Sequence, residues 1–136
     1  MCEEGETMIS SSAFDYINIL DKAADASWTR ESLIAHNIAN VDTPGYKRQD
    51  IDFQSALKKE LGRYKYTSLD KKVARADLGG LNPEIYTDSS GYSYRLDGNN
   101  VDIDTEQVEL ASEQIKYQAL TTSITSEFER LRTVLK

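Results

Sequence analysis

The side chains that could do chemistry are few and poorly placed for it. His36 is the only histidine and Cys2 the only cysteine. No nucleophile–base pair and no thiolate–imidazole metal cage can be assembled from them, and a lone cysteine forms no intramolecular disulfide. The chain contains no Gly-x-Ser-x-Gly elbow, phosphate-cradling glycine loop or His-Glu-x-x-His helix. Asp97, Asp102, Asp104 and Glu106 gather enough carboxylates to raise the question of calcium. An EF-hand loop needs oxygens at positions 1, 3 and 5 and glycine at 6. Counted from Asp97, glycine falls at position 2 and Val101 at position 5. A hairpin loop at 97–100 and a helix cap at Asp104 account for the same acids. Tyr64, Tyr66, Tyr86, Tyr92 and Tyr94 interleave with Lys65, Lys71, Lys72 and Arg75, a mixture able to stack on single-stranded nucleic acid. The net charge of −7 argues against that, and tyrosine is equally a preferred anchor of protein interfaces. The reading is therefore of no catalytic residue, cofactor, metal, nucleic acid or small-molecule substrate.

The most specific stretch is Asn37–Phe53, NIANVDTPGYKRQDIDF. Asn37 and Asn40 lie three residues apart on one side of a helix end. Pro44 presets φ at the first central position of a turn, and Gly45 supplies the positive φ that the second position of a type II turn requires. The residue before a proline is pushed out of the helical region, so the helix must end by about Val41. Both amides are placed to fix how the chain leaves the helix. We expect them to matter when subunits assemble and to be nearly silent in the isolated chain, where water reaches the same groups.

The elements that must position this turn read as follows. Phe14, Ile17, Leu20, Ala24, Trp28, Ile34 and Ile38 recur mostly at three and four residues, which predicts a helix over 13–42 with a narrow apolar stripe. Residues 1–12 read as a flexible extension. A second helix is expected over 105–136, with Asp104 as its cap and Gln107 completing a capping box. Tyr117, Leu120, Ile124, Phe128, Leu131 and Leu135 form an a/d seam along it, which Val108, Ala111 and Ile115 extend toward the N-terminus on a slightly rotated face. Between them, 43–104 reads as a turn plus a small β-containing insert. A short helix near 52–61 stops at Gly62, and a hairpin near 91–104 pairs Tyr92-Tyr94-Leu96 with Val101-Ile103. Residues 66–90 show no clear period. The fold class is mainly α, with two terminal amphipathic helices forming a coiled coil in an assembly.

The 136 residues suffice for one small domain. No apolar run is long enough to span a membrane. Met1–Thr7 carries three glutamates and no lysine or arginine, the wrong start for a secretory signal. Charge is unevenly spread: residues 1–46 carry net −6, 47–75 net +5 and 76–136 net −6. A basic middle between acidic ends suits a neighbouring copy as well as it suits solvent.

Asn37-Ile38-Ala39-Asn40-Val41-Asp42-Thr43-Pro44-Gly45-Tyr46-Lys47 resembles the N-terminal signature of the bacterial flagellar rod, hook and hook-associated axial proteins. Arg95-Leu96-Asp97-Gly98-Asn99-Asn100-Val101-Asp102-Ile103-Asp104 is similar to the segment before the C-terminal helix of rod proteins. Its continuation through Glu109-Leu110-Ala111 and Gln114–Leu120 points to the short proximal-rod members. The resemblance covers residues 8–136. It implies a structural, non-enzymatic subunit exported from the cytoplasm without a cleaved signal. Such a subunit polymerises in the cell-envelope rod of the basal body, with itself, other rod subunits and ring or export-gate components as partners. In that family Asn37, Ile38, Ala39, Asn40, Thr43, Pro44, Gly45 and Tyr46 would be the assembly motif and the C-terminal seam the packing surface. The alternatives are another short rod subunit or a small helical adaptor or regulator, which would not need the Asn-rich helix exit.

Overall fold

The computed structural model describes the backbone of residues 3–89 and 95–136, and side-chain surroundings from residue 13 onward. Helix α1 spans Glu3–Ala39 and helix α4 spans Ile103–Val134. Between them come β1 (Gln49–Asp50), α2 (Phe53–Gly62), α3 (Leu69–Arg75), a 3-10 turn at Leu78–Leu81 and β2 (Tyr86–Thr87). The chain is thus mainly helical, its long terminal helices packed together and its insert carrying two short strands, as the sequence reading expects. Ser27 meets Glu113, Arg30 meets Glu109 and Asn37 meets Glu106, so the two long helices run antiparallel.

Helical backbone begins at Glu3, ahead of the expected start at 13. No proline precedes Pro44, so the sequence offers no strong breaker upstream. The helix stops at Ala39, where the demand of Pro44 on the residues before it predicts. α2 is capped by Asp52, whose carboxylate accepts from the Ser55 N–H at 3.0 Å.

α1 is buried on two flanks, and that departs from the single stripe. Ala23, Ala26 and Leu33 pack with Ile51, Phe53 and Leu81 of the insert, and Ile19, Leu57 and Leu120 close the cluster. The small alanines let the insert approach closely, while Ile34 and Ser27 sit completely or nearly buried toward α4. Two partners need a wide buried face, so Phe14 and Trp28, assigned to the stripe, fall outside it and are exposed.

Three further expectations are corrected. The cap of α4 is Asp102, which accepts from the Asp104 N–H at 3.1 Å and the Thr105 hydroxyl at 3.0 Å, so Asp104 already lies in the first turn. Residues 95–104, the described part of the expected hairpin, hold no strand, and the sheet among the described residues pairs β1 with β2 antiparallel, Gln49 opposite Thr87 and Asp50 opposite Tyr86. Tyr92 and Tyr94 lie outside the described residues, while Ile103 opens α4 instead of closing a strand. The alternation of Val101 and Ile103 arises because Val101 is buried just before the cap, not from a ladder. Finally, Val108, Ala111 and Ile115 do not extend the seam, since all three are exposed. The face toward α1 continues through Leu110 and through Glu106 and Glu113, which are fourteen and seven residues before Leu120. Carboxylates hold heptad positions where apolar residues were sought.

Candidate functional site

The helix exit is built from both sequence motifs. Tyr46 N–H donates to the Thr43 carbonyl at 3.2 Å, and Gly45 has φ 73°, which makes Thr43–Tyr46 the expected type II turn. Asn40 folds back on the helix end: its amide donates to the His36 carbonyl at 2.8 Å, and its oxygen accepts from the Thr43 hydroxyl at 3.1 Å. Ile38 is half-buried, and Ala39 and Pro44 are exposed.

Asn37 is fully buried and makes four bonds. Its amide donates to the Gln49 carbonyl at 2.9 Å and to Glu106 Oε2 at 3.1 Å. Its oxygen accepts from the Gln49 N–H at 2.9 Å and the Tyr46 hydroxyl at 3.0 Å. The side chain thus pairs with a strand residue as a neighbouring strand would. The expectation that Asn37 is silent in the isolated chain is corrected: no water is needed, because the protein itself satisfies every polar atom.

The second motif clasps the first. Gly98 has φ 76°, and a Cβ on it would lie 3.9 Å from the Gly45 Cα, so two glycine turns face each other. Gly45 N–H donates to the Asp97 carbonyl at 2.7 Å. Asn99, 1% exposed, spreads its amide over the carbonyls of Asn40, Val41 and Thr43 at 2.8, 3.0 and 2.9 Å. These carbonyls belong to the turn that follows Ala39, the last residue of α1. Arg95 also donates to the Val41 carbonyl.

Beside the clasp lies an ion-pair girdle. Arg30 of α1 bonds Asp50 at 2.8 Å, Glu113 at 2.8 Å and Glu109 at 3.0 Å. Arg48 bonds Glu106 at 2.7 Å, Asp50 at 3.2 Å and Asp88 at 3.3 Å. Ser27 and Lys116 complete the shell of Glu113. The hydrogen bond to Asp50 and then the nearby carboxylates raise the Arg30 pKa. Burial works against the charge of Arg48, yet the bond and charge of Glu106 and the charge of Asp50 still raise it. Burial likewise opposes ionisation of Asp50 and Glu113. Arg30 and the Ile51 N–H nevertheless hold Asp50 below its ordinary value, and Ser27, Arg30 and Lys116 do the same for Glu113. The girdle ties α1, β1, the end of β2 and α4 into one unit. An open groove of about 210 Å³ lies over it, lined by Gln54, Tyr86, Arg30, Asp50, Glu113 and Lys116. The charged groups there are spent on one another, an arrangement that holds a shape and offers no nucleophile. Among the described residues, no three metal-ligating side chains come together, and no helix is long and apolar enough to cross a membrane.

Of the seam, Tyr117, Leu120, Ile124 and Leu131 are half-buried, whereas Phe128 and Leu135 are exposed. Sequence reasoning missed Arg30, Arg48, Asp50, Asn99, Glu106 and Glu113. The available signal was the seven-residue step from Glu106 to Glu113 to Leu120.

Residues 29–47, which contain the helix exit, match the family described as flagella basal body rod protein. Over its length the chain is similar to the flagellar basal body rod protein FlgB of Bacillus subtilis, 38% identical over 88% of this chain and 92% of that protein. It is 36% identical to FlgB of Salmonella typhimurium and 32% identical to FlgB of Escherichia coli, in each case over 79% of this chain and 83% of the relative.

Proposed function

We propose, from the premise that this chain belongs to the FlgB family of flagellar basal body rod proteins, that it builds the proximal rod by burying surface its own fold leaves bare. It is a structural subunit of the rod and not an enzyme. Its partners are other rod subunits, further copies of itself, and ring or export-gate components where the rod begins. It leaves the cytoplasm without a cleaved signal peptide and functions where the rod crosses the cell envelope.

One observation carries this reading. The outer face of α4 presents Val108, 70% exposed, and Ile115, 69% exposed, seven residues apart on a helix whose opposite face is already occupied by α1. Phe128 and Leu135 add exposed apolar surface toward its end. A solvent-facing helix has no use for large apolar side chains at a heptad step, whereas a packed rod does. The helix exit contributes by fixing the direction in which the insert departs from the helix pair. Asn40, Pro44 and Gly45, at the surface of the clasp, are where a neighbouring subunit would touch it.

The test separates assembly from folding. Ile115→Asp places a charge on a residue that is exposed in the monomer. Circular dichroism and melting of the purified variant should match wild type, and rods and motility should be lost in cells. Normal rods from this variant would remove α4's outer face from the assembly surface.

A further inference from the structure

The basic middle of the chain gathers exposed cations on α2, α3 and the link between them, most of them without an ion pair among the described residues. Lys58 and Lys59 in α2, Arg63 and Lys65 in the link, and Lys71 and Arg75 one turn apart on α3 are all exposed. Of these six, only Arg63 forms an ion pair among the described residues, with Glu60. Tyr66 stands fully exposed beside them, and Arg75 lies 5.4 Å from the centre of the Tyr64 ring.

A complementary stripe runs along α1. Asp21, Asp25 and Trp28 are spaced four and three residues apart, so they share one helix face, and all three are exposed. Trp28 is 62% exposed and is the only tryptophan. Neither aspartate has an ion pair among the described residues. This face is turned away from Ala23, Ala26 and Leu33, the side of α1 on which the insert sits. The basic face belongs to that insert, so the two faces of one chain cannot meet each other.

We propose that the basic α2–α3 face of one subunit docks on the Asp21–Asp25–Trp28 stripe of a second copy, which rests on the rod reading above and adds to it a contact independent of α4. Acid–base pairing sets the register, and the exposed indole takes a lysine or arginine on its face. The contact joins unlike patches. Because the two patches lie on opposite sides of the chain, a single neighbour cannot engage both, so the contact is heterologous and repetition of it generates a ring or a helical array.

The unlike patches allow a direct experiment. One variant carries Lys71→Glu and Arg75→Glu and keeps Trp28. A second carries Asp21→Lys, Asp25→Lys and Trp28→Phe and so lacks tryptophan. All five positions are exposed, and circular dichroism checks that both variants fold. Each alone should sediment as a monomer. Mixed at low salt, they should co-assemble through the native contact and its charge-reversed counterpart, with the Trp28 emission shifting to the blue and with affinity falling about tenfold or more as salt is raised. A single chain carrying both charge reversals should regain the concentration-dependent association of wild type. Unchanged emission and monomers throughout the mixture would overturn the proposal. So would binding of the basic face to anionic phospholipid vesicles, lost on Lys71→Glu, while self-association is untouched. In cells, rods that form normally with one face reversed refute the contact and leave the rod reading standing. Absence of the wild-type chain from isolated basal bodies refutes the rod reading itself.

Discussion

Asn37 carries more of the fold than its size suggests, because removing its amide strands four partners at once: both backbone groups of Gln49, the Tyr46 hydroxyl and Glu106. A buried polar group left unsatisfied costs about 1–3 kcal/mol. Asn37→Ala should therefore lower the melting temperature by roughly 10 °C; a shift of only a degree or two would mean that water takes over the amide's bonds. Gly45→Val acts differently. A Cβ at Gly45 meets nothing within 4 Å, so the cost is that of the left-handed backbone alone, about 1–2 kcal/mol. Its melting loss should be the smaller of the two, and the reverse order would show that the turn is packed more tightly than its open surroundings indicate. The sequence displays the role of Asn37 and Asn40 at the helix exit, because both belong to one local motif. It conceals Asn99, whose three carbonyl partners lie more than fifty residues upstream. Nothing local to Asn99 distinguishes a clasp from an ordinary turn residue.

At the level of elements, α4 has two working faces and they should respond oppositely to charge. Ile124 is half-buried in the face turned to α1, and Leu120 packs on the core cluster. Ile124→Asp should loosen the helix pair and lower thermal stability, because a carboxylate there is desolvated without a partner. Ile115→Asp should leave stability unchanged. Equal melting of the two variants would mean that α4 does not pack on α1 in solution as described. Both long helices are legible from the three-and-four spacing, since that pattern reports periodicity whatever the partner. The pairing of the faces is not. The sequence rule takes charge as a sign of solvent, whereas Glu106 and Glu113 are buried by pairing with Arg48 and Arg30. The same rule takes Val108 and Ile115 as core, although a second subunit is their destination in our account. α3 and the strands Gln49–Asp50 and Tyr86–Thr87 are too short to show a period. The pairing of strands almost forty residues apart has no local signature.

Across the whole molecule, the girdle makes stability depend on pH. Asp50 and Glu113 titrate below their ordinary values in the folded chain. Unfolded carboxyls take up protons first as pH falls, so the stability these groups contribute is complete above about pH 5 and is lost as pH falls through their folded values. The melting temperature should hold between about pH 5 and 7 and then decline toward pH 3, and Asp50→Asn should start lower and decline less steeply. A profile flat to pH 3 would show that the girdle adds nothing net. The same network keeps the helix pair and insert in one rigid shape, which a subunit stacked into a drive shaft requires. The central claim is that this shape is a rod subunit whose bare surfaces are covered by its neighbours. A cryo-electron reconstruction of basal bodies containing this chain tests it most directly. The account predicts the chain in the proximal rod, with α1 and α4 paired as here and Val108 and Ile115 buried against an adjacent subunit. A rod that lacks the chain, or one that contains it with the Val108–Ile115 face open to solvent, would contradict the account.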